Sequence, residues 1–339
     1  MDLYRQEGLQ GLSPNDLVEL TSMEFNYTVP FPLVERIQDI TGVAQPEYPP
    51  GGASRLEWIR QHEIATVPRP PSLLEKPKSE SPDDFPVIRE TLAHWRFEGS
   101  NGTPVGDAVL IPDLSGWGND LFRVNVEPHE PYHLTFSNDH HPLSASKTSI
   151  CFSNPTRNLG SFLTTVAGSP LSFETFPDGY TIEGFARLPT AWPSEFKWTA
   201  ILSRRGEGQD ANKIESDLKE PLAHLGFSPS REVQFAIFPN DQAGISTSWS
   251  SPVDTGQWVH LAAVHDGKSV RLFLDGYPAR RDPYYQQVNG IAAGANLGWS
   301  IGGSTYDGRF KIFGGCIGEI RIVSRALTPQ EFLIARRQS

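Results

Sequence analysis

Three carboxylates lie close together near the middle of the sequence: Glu215, Asp217 and Glu220, in a segment that reads ESDLKE. Two carboxylates about 5 Å apart can act as nucleophile and acid in a retaining glycosidase. Glu215 and Glu220 are therefore candidate catalytic residues. The preceding residues 206–213 read GEGQDANK, which is typical of a polar loop. A solvated charged loop is the favoured interpretation, and a glycoside hydrolase stays an open alternative.

Histidines form a second group of potential ligands. His129 and His133 are four residues apart, and His140 and His141 follow them. Two histidines at this spacing on a helix can share a zinc ion. Prolines at positions 128, 131 and 142 predict a loop instead, so the spacing sets no metal geometry. We therefore interpret these side chains as solvent-facing loop histidines.

Aromatic side chains outside the clearest strand patterns are the best candidates for a binding surface, because flat rings stack on the C–H faces of sugars. The predicted ligand-binding residues are Trp192, Trp249, Tyr284 and Tyr285. Aromatic residues in a β-sandwich more often pack in the core, where they contribute much of the buried area. Those on strand-like runs are expected there: Trp95, Trp198 and Trp258.

The overall composition excludes several classes of partner. The 339 residues include 29 basic and 40 acidic side chains, which gives a net charge of −11. Binding to nucleic-acid phosphates or to anionic membranes needs a basic surface, so neither is expected. No apolar run approaches the roughly 18 residues of a membrane span. The first ten residues contain no apolar signal-peptide core, so the protein is expected to be cytoplasmic by default, or extracellular if the chain is a fragment.

The chain divides into two regions of different composition. Twelve of the 29 prolines but only five of the 30 glycines fall in residues 1–88. We therefore predict a Pro-rich N-terminal segment over 1–88 and a second domain over 89–339. Within the first region, Ser13-Pro14 and Pro32 favour starts of short helices, and residues 76–84 read as a linker. These helices have little apolar surface, so we expect them to lie on the following domain or on a domain outside this chain.

The second region has the pattern of short β-strands. Tyr180–Leu188 alternates apolar and polar residues, with Phe185 as an exception. Further apolar runs lie at 233–237, 258–264, 270–274 and 317–323. Many short strands between Gly- and Pro-containing turns predict an all-β fold with two antiparallel sheets packed as a sandwich.

Two local signals refine this prediction. Asp266-Gly267 lies between two of the apolar runs and favours a two-residue hairpin, because both turn positions need a positive φ. Near the C-terminus, Thr328-Pro329-Gln330-Glu331 has the residues of a capping box and predicts a short helix.

Six segments in order resemble a known family. They are HWRFE at 94–98, DLSGWGNDL at 113–121, YTIEGF at 180–185, WVHLAAV at 258–264, VRLFLDG at 270–276, and the glycine-rich end from IGG at 301 to RALT at 328. Their order and spacing resemble the LamG-like jellyroll domain, a concanavalin A-like lectin/glucanase sandwich, over about three quarters of the chain. The resemblance implies a non-catalytic module that binds carbohydrate or protein partners.

The sequence also resembles the version of this domain that is attached to calcineurin-like metallophosphoesterases. That likeness implies an accessory domain packed on a separate catalytic domain, an analogy at the level of the fold. The G-N-H-E and G-D-x-H runs of such enzymes do not occur here, and Gly118-Asn119-Asp120 lacks the histidine. The chain itself is therefore not expected to carry phosphatase activity.

Many members of the family hold a calcium ion near the D-x-S-G-x-G-N loop. The resemblance thus implies a structural calcium site with Asp113 and Asn119, and with Glu319 as a further ligand. Calcium takes six to eight oxygen ligands. The alternative is that Asp113 and Asn119 form Asx-type turn hydrogen bonds without metal. Gly318 stands where the family commonly has Asp, which removes one carboxylate from the ligand set.

The two cysteines lie far apart in the sequence. Cys151 is in an early strand-like run and Cys316 in a late one. First and last strands often neighbour each other in such sandwiches, so a disulfide between the two cysteines is one alternative. With no visible signal peptide, we expect instead two free, buried cysteines.

Overall fold

The computed structural model describes residues 88–107, 109–126, 133–153, 160–193, 196–214, 218–279, 287–294, 297–306 and 309–335. The N-terminal segment with its predicted helices and linker lies outside the described residues. So do Glu215, Asp217, His129, Tyr284 and Tyr285.

The described chain is built from β-strands. They are β1 (Thr91–Trp95), β2 (Leu121–Val126), β3 (Leu134–Ser137), β4 (Ser149–Phe152), β5 (Gly160–Thr165), β6 (Tyr180–Arg187), β7 (Thr199–Glu207), β8 (Pro221–Phe227), β9 (Glu232–Ile237), β10 (Ser246–Pro252), β11 (Trp258–His265), β12 (Val270–Leu274), β13 (Tyr277–Pro278), β14 (Trp299–Ile301), β15 (Gly303–Tyr306), β16 (Arg309–Ile312) and β17 (Gly315–Val323). One turn of α-helix, α1 (Pro170–Phe173), and 3-10 turns at Gly208–Ala211 and Pro329–Glu331 complete the elements.

The strands form two antiparallel sheets. Sheet 1 has the order β13-β12-β11-β6-β17-β4-β3, and β1 also pairs with β17. Sheet 2 has the order β10-β9-β8-β7-β14-β5-β2, and β15 and β16 form a separate hairpin. The predicted two-sheet jellyroll sandwich is confirmed. Among the described residues, no helix is long and apolar enough to cross a membrane.

The core lies between the two sheets. Tyr180, Ile182 and Ala186 of β6 are buried, and the ring of Tyr180 lies 6.0 Å from that of Phe235 in sheet 2. Alternate residues of a strand point to opposite faces. We call the face of each sheet that points away from the other sheet its outer face. Phe185, the exception in the alternating pattern, lies on the outer face of sheet 1.

Both outer faces are partly covered by other segments. On sheet 1, Leu327 and Phe332 of the C-terminal segment pack with Val264 and Phe273. This contact explains why strand residues that face outward are nevertheless apolar. On sheet 2, the β15–β16 hairpin lies against β7 and β5, and the rings of Phe310 and Phe162 are 5.3 Å apart.

Two local predictions are corrected in detail. The hairpin between β11 and β12 is confirmed, but its loop has four residues, because His265 pairs with Val270. Asp266 Oδ1 accepts hydrogen bonds from the N–H groups of Lys268 and Ser269, and only Gly267 adopts a positive φ. At the C-terminus, the predicted capping box of Thr328 and Glu331 is confirmed, on a single 3-10 turn.

The expectation of two free cysteines was wrong. Cys151 of β4 and Cys316 of β17 lie directly opposite each other, with Cα atoms 4.1 Å apart, and form a disulfide. The sequence shows an early and a late strand, but it does not show the register that brings these two side chains together.

The expectation that three tryptophans are core residues was correct for one of them. Trp95 is fully buried and its indole N–H donates to the carbonyl of Asn119 at 2.7 Å. Trp198 and Trp258 are only half-buried. Trp198 precedes β7 and Trp258 begins β11, so both lie where a sheet meets solvent.

Candidate functional site

The D-x-S-G-x-G-N loop is organised by the carboxylate of Asp113. Oδ1 accepts hydrogen bonds from the backbone N–H groups of His94 (3.0 Å) and Ser115 (2.9 Å). Oδ2 accepts from the hydroxyl of Ser115 (2.7 Å) and from the backbone N–H (3.1 Å) and side-chain Nδ2 (3.0 Å) of Asn119. Both oxygens are therefore already engaged by protein donors.

Asn119 is equally committed to the fold. Its Oδ1 accepts from the backbone N–H of Leu171 at 2.8 Å, and its Nδ2 also donates to the carbonyl of Leu92 at 2.9 Å. These bonds tie the loop to β1 and to α1. The arrangement is the Asx-type turn network that the sequence left open as the alternative to calcium.

Glu319 is positioned by an irregularity in β17. The pairing of β17 with β6 shifts register between Ile317 and Ile320. Such a β-bulge places two residues, here Gly318 and Glu319, opposite one residue of the partner strand, here Phe185. A Cβ at position 318 would lie 3.0 Å from the Cβ of Phe185. Glycine at position 318 therefore suits this close approach.

The carboxylate of Glu319 is fully buried among donors. Oε1 lies 2.6 Å from Nε2 of His94 and accepts from Nε of Arg96 at 2.9 Å. Oε2 accepts from the hydroxyl of Ser144 at 3.2 Å and from the backbone N–H of Ser146 at 3.4 Å. Burial opposes ionisation, but the hydrogen bonds and charges of His94 and Arg96 outweigh it and lower the pKa of Glu319 to about 2.

The three predicted metal ligands do not fit a calcium ion in this arrangement. Asp113 and Asn119 bind each other, and Glu319 binds two basic side chains instead of presenting a free oxygen. Across the described ranges, no group of three or more His, Cys, Asp or Glu side chains is arranged to hold a metal ion. Calcium would have to displace existing donors, so its binding stays a prediction from the resemblance.

A second buried carboxylate lies on the outer face of sheet 1. Oε1 of Glu183 accepts from Nε of Arg321 at 2.8 Å. Its Oε2 lies 2.8 Å from Nε2 of His260 and accepts from the backbone N–H of Leu333 at 2.9 Å. Burial opposes ionisation, but Arg321 and then His260 outweigh it and lower the pKa of Glu183. This cluster joins β6, β11, β17 and the C-terminal segment, which makes it part of the scaffold.

The outer face of sheet 2 carries a different set of side chains. Trp249 of β10 faces outward, because its neighbour Ser248 pairs with the interior residue Phe235. The ring of Trp249 lies 6.1 Å from that of Trp198, at an angle of 70°. Trp198 has φ +60°, a left-handed conformation that bulky residues rarely adopt. Two half-buried indoles thus meet at the edge of the sheet.

Two smaller residues follow Trp249 across the sheet. Trp249 pairs with Gln234 of β9, and Gln234 pairs with Gly226 of β8. A Cβ at Gly226 would lie 2.1 Å from the carbonyl oxygen of Thr199 and 2.5 Å from Nε2 of His224. Glycine is therefore required at this position. Gln234 adds an amide that can both donate and accept hydrogen bonds.

His224 is the most unusual polar residue on this face. It is 4% exposed, and burial lowers its pKa to about 4, so its ring is neutral at pH 7. Across from it in register lies Ser203 of β7. Within the described part of the chain, neither His224 Nε2 nor the hydroxyl of Ser203 has a hydrogen-bond partner. Buried polar groups are almost always paired, so this pair indicates a place where a ligand or water belongs.

Of the four aromatic residues predicted from the sequence, the two described ones, Trp192 and Trp249, lie in separate groups. Trp249 lies in the pair with Trp198. Trp192 is half-buried in a separate group, with its ring 5.7 Å from Phe196 and 6.0 Å from Phe227. Its indole N–H already donates to the carbonyl of Pro229 at 3.1 Å. Tyr284 and Tyr285 lie outside the described residues.

The structure describes some of the candidate catalytic carboxylates and candidate metal-binding histidines, but not all of them. Glu220 is half-buried and directly precedes β8, and its predicted partner Glu215 is not described. The interpretation of His141 as a solvent-facing loop residue was wrong. It is 8% exposed and its ring stacks on Phe185 at 4.8 Å. Burial lowers its pKa, and Asp275 only partly opposes this effect.

Sequence reasoning missed Trp198, Gln234 and His224 as candidate site residues. A usable signal was present in β8, which reads PLAHLGF. Apolar residues alternate there with Leu222, His224 and Gly226, so one strand face carries a histidine and a glycine. Such a face indicates a buried polar position next to a residue without a side chain, although the partners on β7 and β9 cannot be read from the segment alone.

The comparisons with known proteins agree with this fold. Residues 166–332 match the Laminin_G_3 family, whose description is the concanavalin A-like lectin/glucanases superfamily. No curated protein matches the chain.

Solved structures share the architecture at low identity. Domain 4 of AbnA, a GH43 extracellular arabinanase from Geobacillus stearothermophilus in complex with arabinotriose, is 16% identical, with a TM-score of 0.44; the match covers 71% of this chain and 96% of that one. Trypanosoma rangeli sialidase is 12% identical, with a TM-score of 0.43 and coverage of 72% of this chain and 32% of the sialidase. The chain thus spans about a third of the sialidase, and these likenesses concern the fold alone.

Proposed function

We propose that this domain is a non-catalytic module that binds carbohydrate on the outer face of sheet 2. The observation that carries the proposal is the perpendicular pair of half-buried indoles, Trp198 and Trp249, at the edge of that face. Aromatic rings of this kind offer a flat apolar surface beside a polar N–H group. A sugar ring, with apolar C–H faces and a rim of hydroxyls, has the complementary chemistry.

The surroundings of the indole pair support this assignment. A bulky residue at positive φ costs about 1–3 kcal/mol and persists where the structure needs it, which is often at a binding site. Here the strained backbone of Trp198 holds its ring against Trp249. Gln234, which pairs with Trp249, then provides a hydrogen-bonding amide beside the rings.

The non-catalytic part of the proposal rests on the buried carboxylates. Glu183 and Glu319 have no exposed surface, and each is held by an arginine and a histidine. Neither carboxylate is free to act as an acid, base or nucleophile. The family description includes glucanases as well as lectins, so turnover needs its own test. A panel of β-glucans should show no hydrolysis by the wild-type protein.

The first experiment is a glycan array in calcium-containing buffer, repeated with EDTA. Discrete hits are expected in both buffers, because the indole pair needs no metal. Blank arrays in both buffers would contradict the proposal and favour the accessory-domain hypothesis, in which the surface contacts a separate catalytic domain. Hits only in the calcium-containing buffer would contradict binding at the indole pair and would indicate a binding site at the D-x-S-G-x-G-N loop.

Variants then locate the site on the molecule. Trp198→Ala and Trp249→Ala should each weaken binding of an array hit by about 30-fold, the effect of losing a central aromatic contact of about 2 kcal/mol. Trp258→Ala is the matched control, since Trp258 is a half-buried tryptophan on the opposite sheet. Trp192→Ala tests the separate aromatic group. Equal losses for Trp249→Ala and Trp258→Ala would contradict the placement.

A further inference from the structure

The Cys151–Cys316 disulfide lies on the outer face of sheet 1. Cys316 of β17 is directly opposite Cys151 of β4 on one side and Arg187 of β6 on the other. Residues directly opposite each other in neighbouring strands share a face of the sheet. Arg187 follows the outward-facing Phe185 by two positions, so it points to the same outer face, and the disulfide does too.

The two sulfur-bearing residues differ in their exposure. Cys316 is 3% exposed, whereas Cys151 is half-buried. β4 is paired on both edges, by β17 and β3, so the exposure of Cys151 is on the face to which its side chain points. Thr135, its neighbour on β3, is also half-buried. A dissolved thiol therefore reaches Cys151 more easily than Cys316.

Arg187 places a cation against the sulfur of Cys316. Its Nη2 donates to Sγ of Cys316 at 3.4 Å, and its Nε lies 2.8 Å from Oδ2 of Asp139 in an ion pair that fixes the orientation of the guanidinium. Sγ of Cys151 lies 4.0 Å from the hydroxyl of Ser149, which carries no charge. A cation beside a cysteine favours the thiolate over the thiol. After reduction, a negative charge is therefore stabilised on Cys316.

Accessibility and charge thus favour opposite ends of the same bond. In thiol–disulfide exchange, a thiolate attacks one sulfur and the other sulfur leaves as a thiolate. The reaction is faster when the attacked sulfur is accessible and when the leaving thiolate is stable. Cys151 meets the first requirement and Cys316, beside Arg187, meets the second.

We propose that the Cys151–Cys316 bond is a site of reductive modification by a dithiol in the folded domain, with Cys151 attacked and Cys316 leaving. The attacking thiolate bonds to Sγ of Cys151, the S–S bond breaks, and its electron pair goes to Sγ of Cys316. The second thiolate of the reagent attacks the reagent sulfur bound to Cys151, which releases Cys151 as a thiolate. The dithiol becomes a disulfide, and its two electrons and two protons go to the protein sulfurs and the surrounding water. This inference does not depend on carbohydrate binding.

The topology indicates what reduction changes. β4 pairs with β17 over three residues, Gly315–Ile317, and β3 is attached to the sheet through β4. β17 keeps its pairing with β6 and β1 when the disulfide is reduced. The domain is therefore expected to stay folded, while the β3–β4 edge of sheet 1 loses its covalent tie. Hydrogen exchange should become faster for backbone amides of β3 and β4 than for those of β6.

The rate of reduction of the full chain tests whether the folded domain reacts. The protein is incubated at pH 7 with increasing dithiothreitol, quenched with acid, alkylated and analysed by mass spectrometry. The rate should rise in proportion to the dithiothreitol concentration, because the reagent reaches the bond directly. A rate that levels off at low dithiothreitol would mean that the domain must first unfold, which would overturn the inference.

Variants test the role of the cation. Arg187→Met removes the charge beside Cys316 and should slow reduction by about threefold, the effect of a less stable leaving thiolate. Arg271→Met removes an exposed arginine from β12 of the same sheet and is the matched control. Asp139→Asn breaks the ion pair but keeps the cation, so it should not slow reduction. Equal slowing by Arg187→Met and Asp139→Asn would assign Arg187 a packing role only.

Single-cysteine variants report the thiolate itself. Cys151→Ser leaves Cys316 as the free thiol, and Cys316→Ser leaves Cys151. At pH 7, the thiolate absorbance at 240 nm should be larger for Cys316 than for Cys151. Adding Arg187→Met to Cys151→Ser should remove this difference, which a change in packing alone would not do.

A monothiol identifies the attacked sulfur without any variant. Wild-type protein is treated with reduced glutathione, free thiols are alkylated, and peptides are mapped by mass spectrometry. Glutathione on Cys151 and the alkyl group on Cys316 support the inference. Glutathione mainly on Cys316, or equally on both cysteines, overturns it. This result decides the case even if Arg187→Met does not fold.

Discussion

The outer faces of the two sheets both bury polar side chains, but these side chains differ in how many hydrogen-bond partners they have. On sheet 1, Glu183 is contacted by Arg321, His260 and a backbone N–H group, all within hydrogen-bonding distance. On sheet 2, His224 and Ser203 lie side by side with no hydrogen-bond partner for Nε2 or the hydroxyl among the described residues. The pairing of both Glu183 oxygens holds strands of sheet 1 together, although Nδ1 of His260 in that cluster has no partner among the described residues. On sheet 2, His224 Nε2 and the Ser203 hydroxyl stay available to a ligand or to water. The two faces therefore differ in how far their buried polar groups are paired, and not in burial itself.

Breaking the paired cluster should have the largest effect. Glu183→Gln removes the charge that compensates Arg321 and His260, and loss of one partner from a buried ion pair costs about 3–5 kcal/mol. Urea denaturation should show this decrease in the free energy of unfolding. Glu98→Gln, at an exposed position, is the control and should change stability by less than about 0.5 kcal/mol. A loss below about 1 kcal/mol for Glu183→Gln would remove the distinction between the faces.

The disulfide adds a covalent tie to sheet 1. Replacing both Cys151 and Cys316 by Ser should destabilise the domain by about 2–4 kcal/mol, because the bond closes a loop with a sequence separation of 165 residues. Thermal melting with and without a reducing agent measures this. Reduction should lower the melting temperature of the wild type and leave that of the double variant unchanged. An equal response of both proteins would show that the bond does not form.

Glu319 should make stability depend on acid. Its pKa is lowered from 4.5 to about 2 in the folded protein. A lowered carboxyl pKa contributes stability above pH 4.5, and this contribution is lost as the pH falls from 4.5 towards 2. Glu319→Gln should cost on the order of 2 kcal/mol at pH 7 and flatten the unfolding free energy over that window. Unchanged acid sensitivity in the variant would contradict the assigned pairing.

On sheet 2 the same type of experiment should give the opposite sign. His224→Leu replaces a partnerless buried ring by an apolar side chain, so stability at pH 7 should stay within about 1 kcal/mol of wild type or increase. The pKa of His224 is lowered from 6.5 to about 4, so its contribution is present above pH 6.5 and lost as the pH falls towards 4. Urea titrations at pH 7 and pH 5 should show a larger loss in wild type than in His224→Leu, which keeps only the smaller contribution of His141, whose pKa is also lowered by burial. A large destabilisation at pH 7 would mean that His224 is part of the scaffold.

The smallest effect is expected from removal of calcium. Asp113 and Glu319 already accept protein donors, so EDTA should leave the melting temperature within about 1 °C of its value in calcium. A ligand of the native state raises the melting temperature by mass action. A decrease in EDTA that calcium restores would support the calcium prediction and would require the donors around Asp113 to rearrange.

The sequence predicts the fold well because the relevant signals are local. Alternation at Tyr180–Leu188 and the capping residues Thr328 and Glu331 act over a few positions, and the structure confirms them. The loop after Asp266 was misjudged by two residues, since turn length depends on how the flanking strands pair. Local patterns state which residues form strands but not which strands become neighbours.

The candidate site depends on neighbours, so less of it could be predicted. Trp249 was identified from its type and its loop-like surroundings, whereas Trp198 was assigned to the core. His224 became a candidate only through what it lacks, namely a hydrogen-bond partner for Nε2 among the described residues. The absence of a partner has no sequence signature, because the sequence shows every residue but none of the contacts across a sheet.

The position of the last strand in sheet 1 has a consequence for synthesis of the protein. β17 lies between β6 on one side and both β4 and β1 on the other, so sheet 1 cannot close until residue 323 has left the ribosome. At about 5–20 residues per second, Cys151 waits roughly 10–30 s for Cys316 to emerge. During translation the early strands of sheet 1 therefore have exposed edges until β17 emerges and pairs with them.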